Sequence, residues 1–425
     1  MFSSIITFLL TVLSTVVPPT SATGGPGADS AAYNQHYYAN QTPYGDAATA
    51  PVMEAPDGYR LTFVETVGRH GARTLTSSAR ERRSLAVWSA AKKQGALTDL
   101  GAQYADDVTR FQKPEQQIGY GNLSSIGAQE WQGIGRRTAD AYGDFLRQAT
   151  RAGDQVVFKT SPVLRTIESA DAMRSSLQKA VPGLEVADYV TDPATLLIGN
   201  GASINGNRAV EQVLARPEVV AAAEHLLGRL YDASFVDALA DPVEAALDVY
   251  LLYCTAPGMA ADTDVTFEPY VPLRDAKVLA YAVDAKNFYQ YGPGVAGEDS
   301  SYRAARLLLD DFFAALDDRL AGGDTAAVFR LAHGETTMPF AALIDLPGSQ
   351  EQAPAGSVYT YDDNDWRGFV AGRLGGNIEW AAYASRSGKA LVTVRYNEQP
   401  VKLASGCRAT TPYFYRPAEL RRCLD

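Results

Sequence analysis

The chain predicts an α/β fold, and three observations carry that expectation. Apolar runs of strand length end at a loop or a helix start. Chemically loaded residues stand directly behind those runs, where α/β folds bind their ligands. Stretches of helical periodicity surround them. The first run, Leu61-Thr62-Phe63-Val64-Glu65-Thr66-Val67, reads as a buried strand, with Gly68 and Gly71 where a strand turns into a loop. From Ser78 to Phe111 the pattern is helical and charged, with Leu85, Val87, Trp88 and Ala91 as apolar positions. Val156-Val157-Phe158 reads as a short strand, after which Ser161 as N-cap and Pro162 in the first turn open a helix. The stretch from about 190 to 300 is Ala/Leu-rich and helical, as in Val210-x-x-Val213-Leu214 and Leu226-Leu227-x-x-Leu230-Tyr231. It reads as an α-helical insertion capping the α/β core, its apolar stripes spent on packing. A helix at Ser301–Leu320 and a strand at Ala326–Ala332 resume the core. No internal repeat or heptad is evident.

Two of the four histidines follow strand-like runs immediately. His70 lies between Arg69 and Arg73, whose charges oppose its protonation and keep the imidazole nucleophilic. Guanidinium forks also match phosphate oxygens. The pattern suggests a histidine that attacks a phosphorus held by arginines; taken alone, it also fits a solvated basic turn. The third strand runs into His333-Gly334-Glu335-Thr336-Thr337. Phosphoryl transfer needs a nucleophile, positive charge on the equatorial oxygens and an acid for the leaving alkoxide. His70 meets the first need, Arg69, Arg73 and His333 the second, and Glu335 the third. Arg165, in the first turn after Pro162, would face back toward the strand ends, or serve as an ordinary helix-surface charge.

These motifs resemble the histidine phosphatase superfamily, in its acid phosphatase and phytase branch, and within it the multiple inositol-polyphosphate phosphatases. The matching residues are Arg69-His70-Gly71-x-Arg73, Ser161 through Arg165 to Ser169-Ala170, and His333-Gly334-Glu335-Thr336. Leu123-Ser124-x-x-Gly127-x-x-Glu130 with Gly135-x-Arg137, and Val394-Arg395-Tyr396-Asn397-Glu398, agree as well. The subfamily likeness rests on His-x-Glu-Thr, on Asp275-Ala276-Lys277-Val278-Leu279-x-Tyr281 and on Tyr289-x-Tyr291-Gly292-Pro293-Gly294. The likeness runs from about residue 40 to the C-terminus. It implies a three-layer core with a mostly parallel central sheet and active-site loops at the strand ends. It also implies that His70 forms a phosphohistidine, that Arg69, Arg73, Arg165 and His333 clamp the phosphoryl group, and that Glu335 protonates the leaving oxygen. No metal and no cofactor is implied. Thr74-Leu75 and Gly334 depart from the usual pattern, and the insertion matches only in patches. Thr74, Lys286 and Tyr289 are the candidate substrate contacts there, with core or surface roles as the alternative for the last two.

The expected organisation is a signal peptide at 1–22, an extended leader at 23–57, the core at 58–185 and 301–425, and the cap at 186–300, with residues 78–120 as a candidate addition. The apolar run from Ile5 to Val17 is short for a membrane span, and Thr20-Ser21-Ala22 offers a cleavage site. No Lys or Arg precedes that run, so a tethered N-terminus stays open. Secretion is expected, and three cysteines fit one disulfide, with Cys407 and Cys423 as the pair and Cys254 left over. Asn40-Gln41-Thr42 and Asn122-Leu123-Ser124 are glycosylation sequons.

The formal net charge of −11 argues against nucleic acid or an anionic membrane as partner. An acidic body acting on a polyanion must concentrate its positive charge in one pocket. The expectation is thus an exported, monomeric phosphomonoesterase acting on inositol polyphosphates such as phytate, through a phosphohistidine. Small phosphomonoesters such as sugar phosphates or bisphosphoglycerate are the alternative substrates. A non-catalytic phospho-ligand binder and a mutase-like transferase are more remote.

Overall fold

The computed structural model describes residues 36–45, 51–403 and 406–424. The expected signal peptide and most of the leader lie outside these residues. Seven strands form one mixed sheet in the order β3-β2-β4-β1-β5-β6-β7. They are β1 (Tyr59–Arg69), β2 (Gln155–Thr160), β3 (Val190–Thr191), β4 (Thr325–Ala332), β5 (Asn377–Ser385), β6 (Ala390–Tyr396) and β7 (Gln399–Pro400). The first four run parallel, and β5–β7 continue from β1 as an antiparallel meander.

Alternation along the central strands explains the layers. On β4, Val328 and Ala332 join one core cluster while Ala327, Phe329 and Leu331 join the other. On β1, Phe63 and Val67 face the first cluster and Val64 the second. A sheet buried on both faces reads as continuous apolar sequence, as these strands do. Helices α3 (Ser125–Ala152) and α4 (Leu164–Ala180) cover one face through Trp131, Ile134, Met173 and Leu177. Helices α9 (Arg306–Leu320) and α10 (Gly334–Leu343) cover the other through Leu308, Phe312, Phe313 and Phe340.

The remaining long helices before α9 are α1 (Ala79–Lys93), α2 (Asp99–Ile118), α5 (Ile204–Leu214), α6 (Pro217–Gly228), α7 (Pro242–Thr255) and α8 (Leu273–Tyr291). Tyr104, Val108 and Phe111 of α2 share one apolar cluster with Leu226, Leu227, Tyr250 and Leu279. Residues well before α3 and residues beyond 200 therefore build one helical body. Part of the inserted stretch also enters the sheet, since β3 pairs with β2. A last helix, α11 (Pro417–Leu424), is clipped by the Cys407–Cys423 disulfide, while Cys254 is free and buried.

Two expectations need correction. The segment read as one helical stretch from Ser78 to Phe111 is two helices, broken at Gly95, whose φ of +69° stops the first. Ser161 is not a helix N-cap: α4 starts at Leu164, after Val163, with no side-chain cap. The Ser161 hydroxyl is held elsewhere, in the cluster described next.

Candidate active site

Parallel register assembles the cluster. β1 and β4 pair with Arg69 opposite Ala332, and β2 and β4 pair with Thr160 opposite Leu331. The residues that follow, His70, Ser161 and His333, therefore emerge at one edge of the sheet. The His70 amide donates to the Ala332 carbonyl at 2.9 Å, which locks the two histidine motifs together. The imidazole rings stand edge to face, with centroids 5.6 Å apart.

The amides of Gly71, Ala72, Thr74 and Leu75 are each paired, as a buried backbone requires. Gly71 donates to Ser169 Oγ (3.2 Å), Ala72 to Glu130 Oε2 (2.7 Å), Thr74 to the Asn122 carbonyl (3.1 Å) and Leu75 to Glu115 Oε1 (2.6 Å). Arg73 itself bridges to Leu123 in an antiparallel pairing. A Cβ on Gly71 would lie 2.4 Å from the Gly127 carbonyl oxygen, so this loop lies directly against the first turn of α3. On the far side, Trp131 Nε1 donates to the Arg69 carbonyl (3.1 Å).

His70 Nδ1 lies 2.8 Å from the Gly71 carbonyl, which only accepts. The neutral ring thus carries its proton on Nδ1 and keeps a lone pair on Nε2. Burial, then the charges of Arg69, Arg165 and Arg73, hold its pKa well below the ordinary 6.5. His333 is held low by burial and Arg165. Its Nδ1 accepts from Arg165 Nη2 (3.1 Å), so Nε2 donates to Ser161 Oγ (2.8 Å). His333 is therefore a neutral donor-acceptor link, where the sequence suggested a positive charge.

The guanidinium groups supply the charge. Burial, followed by Arg165, lowers Arg69 to about 10. Burial, Arg69 and Arg165 lower Arg73 to about 9, and burial lowers Arg165. Each of the three leaves its Nε–H buried with no hydrogen-bond partner. Mutual repulsion and orphaned donors in one desolvated spot are both relieved by a bound anion. Glu335, in the first turn of α10, is open to solvent although protein crowds around it. Burial alone would raise its pKa, but the charge of Arg69, a backbone hydrogen bond from its own amide and the charge of Arg73 outweigh that and leave it below 4.5.

The cluster brings together His70, Arg69, Arg73, Arg165, His333 and Glu335. Three other candidates lie elsewhere. Thr74 is fully buried, its hydroxyl donating to the Gly119 carbonyl (2.8 Å) and accepting from Gly121 N (2.8 Å), so it staples the loop. Tyr289 is buried in the apolar cluster around Phe288 and Trp366, its hydroxyl accepting from Tyr359 N (2.7 Å). Lys286 is exposed on α8 and joins none of the described hydrogen bonds or ion pairs that hold the cluster. The residue of that helix beside the cluster is Tyr291, whose hydroxyl is pushed up by burial and by the charge of Glu335.

Sequence reasoning also missed the supporting shell. Glu130, raised to about 7 by burial, and Ser169 lay within the quoted motifs but carried no assigned task. A separate cavity of about 330 Å³ lies behind Trp131, lined by Thr66, Met173 and the paired Arg137, Glu398, Arg395 and Glu379. Neither histidine of the cluster lines it, and with Asp140 its three carboxylates outnumber its two arginines, so it has no excess of positive charge.

A mixed sheet with a histidine and three arginines at its parallel strand ends defines a phosphoryl-binding α/β class. Residues 60–227 match the histidine phosphatase superfamily (branch 2), and that segment is a histidine phosphatase domain. The multiple inositol polyphosphate phosphatase of Bifidobacterium longum, solved with inositol hexasulfate, superposes with a TM-score of 0.87 at 27% identity, covering 92% of this chain and 97% of that one. The D. castellii phytase shares the fold, with a TM-score of 0.64 at 14% identity, covering 92% of this chain and 84% of that one. Phytase A of Neurospora crassa is 24% identical over 222 residues, which span 50% of this chain and 40% of that protein's length.

Proposed function

We propose that this chain is an exported phosphomonoesterase that hydrolyses inositol polyphosphates through a phosphohistidine. The single observation that carries the reading is the bare Nε2 of a neutral His70 beside three guanidinium groups with orphaned Nε–H donors. In the proposed first step, His70 Nε2 attacks phosphorus while the arginines balance charge on the equatorial oxygens. Glu335 gives its proton to the departing alkoxide and then takes one from the water that opens the phosphohistidine. His333, neutral and fixed between Ser161 and Arg165, contributes orientation and a hydrogen bond. The negative substrate offsets the arginines and raises Glu335 toward a protonated state. Likeness to the Bifidobacterium enzyme supports the polyphosphate substrate, and the apolar N-terminal run and the disulfide support export.

The test is phosphate release from phytate and from small phosphomonoesters, with EDTA present, by wild type and His70→Ala. Release from phytate that vanishes in the variant is the expected result. Turnover of small esters alone would keep the chemistry and change the substrate. No turnover of any ester would overturn the enzymatic reading.

A further inference from the structure

Residues 36–45 run as a strap beside the catalytic loop, and their bonds converge on Arg69. Arg69 Nη1 donates to the Asn40 carbonyl at 2.5 Å and to the Gly372 carbonyl. The Thr42 carbonyl accepts from Leu374 N (3.1 Å), while the next amide, Gly375 N, donates to the His70 carbonyl (3.2 Å). Arg373 Nη2 donates to the carbonyls of Pro43 (3.1 Å) and Tyr44 (2.7 Å), its guanidinium 4.8 Å over the Tyr44 ring. Tyr44 N donates to Glu130 Oε1 (2.6 Å), and the other oxygen of that carboxylate takes the Ala72 amide. At its start the strap is tied to the cap, where Tyr253 and Tyr250 donate to the carbonyls of His36 and Tyr37, both at 2.6 Å.

The strap is held in a costly shape. Tyr37 and Ala39 have φ of 57° and 48°, the left-handed region, and Ala39 is buried. Such a conformation persists only where the surroundings over-determine it, and it clusters at functional sites. We propose that residues 36–45 are a positioning element of the active site. By occupying Nη1 they hold one side of the Arg69 guanidinium and aim its Nε edge at the phosphoryl group. The inference rests on the reading above that Arg69 binds phosphate. It makes the chain before β1 part of the site, although none of its side chains would touch the substrate.

The experiment measures competitive inhibition by inorganic phosphate, kcat/KM on p-nitrophenyl phosphate, and Tm. It uses wild type, Ala39→Val, Ala39→Gly, Thr42→Val and Arg69→Ala. A β-branched residue cannot hold the φ of Ala39, so Ala39→Val displaces Asn40 and should weaken phosphate about tenfold, the scale of one charge-assisted hydrogen bond. Ala39→Gly suits that φ and should restore phosphate affinity. Thr42→Val removes only the hydroxyl that donates to the Ala39 carbonyl at 2.7 Å, and should weaken phosphate about threefold. If Ala39→Val does not fold, Thr42→Val decides. A lowered Tm with unchanged phosphate inhibition in Thr42→Val would overturn the proposal. Unchanged inhibition in Arg69→Ala would instead overturn the phosphate assignment of the site.

Discussion

Gly71→Ala tests whether the catalytic loop is set by backbone contact with α3. The added Cβ would lie 2.4 Å from the Gly127 carbonyl oxygen, 2.7 Å from its Cα and 2.8 Å from its carbonyl carbon. Comfortable non-bonded separations begin at about 3.5 Å, so the two backbones must part by roughly 1 Å. Neither side yields easily. The Gly71 and Ala72 amides are tied to Ser169 and Glu130, and Ser124 N is tied to the Ala72 carbonyl at 3.0 Å. Overpacking of this kind costs about 1–3 kcal/mol of stability. A shift of about 1 Å at the residue next to the nucleophile should cost roughly 100-fold in rate. The assay is kcat/KM on p-nitrophenyl phosphate with Tm measured alongside. Gly95→Ala is the control: its φ is +69° but a Cβ there meets nothing within 4 Å, so stability should fall while kcat/KM holds. Gly71→Ala retaining kcat/KM within threefold of wild type would refute the reasoning.

Glu335→Gln should reduce turnover of phytate far more than of p-nitrophenyl phosphate, whose leaving group needs little protonation; equal losses would remove Glu335 from the acid role. Arg165→Ala should move the acid limb of the kcat/KM profile to higher pH. Removing a charge that depresses His70 raises its proton affinity, so the ring becomes charged over a wider acid range. An unmoved limb would contradict the electrostatic account. Cys423→Ser opens a disulfide with a sequence separation of 16 and should cost about 3 kcal/mol by loop entropy, read as a lower Tm with kcat/KM unchanged. A fall in kcat/KM at temperatures where the variant stays folded would tie the C-terminal clip to the site.

The core strands and the six clustered residues were legible because their signals are local. An apolar run such as Ala326–Ala332 reads as a buried strand whatever its partners are, and His70 and His333 follow their strands directly. What failed depended on which group a side chain finds across the fold. Ser161 has the residue type and spacing of an N-cap, yet its hydroxyl meets His333, 172 positions away. Thr74 sits beside Arg73 in sequence but its hydroxyl turns to Gly119 and Gly121, into the protein. In Tyr289-x-Tyr291 the motif was informative and the residue chosen was not. A two-residue step on a helix rotates a side chain by more than half a turn, and only packing decides which tyrosine faces Glu335.

By itself, then, the sequence determined the α/β class, the six residues that cluster at the strand ends and the Cys407–Cys423 pairing, because apolar runs, charge neighbours and cysteine spacing are properties of short segments. Tertiary structure alone decided that His333 is neutral, that Glu130 grips the loop and that the leader reaches Arg69. Those depend on contacts such as Asn40 with Arg69, 29 positions apart, and Gly372 with Arg69, 303 apart. Desolvation and hydrogen-bond geometry exist only once such distant groups have been brought within a few ångströms of each other.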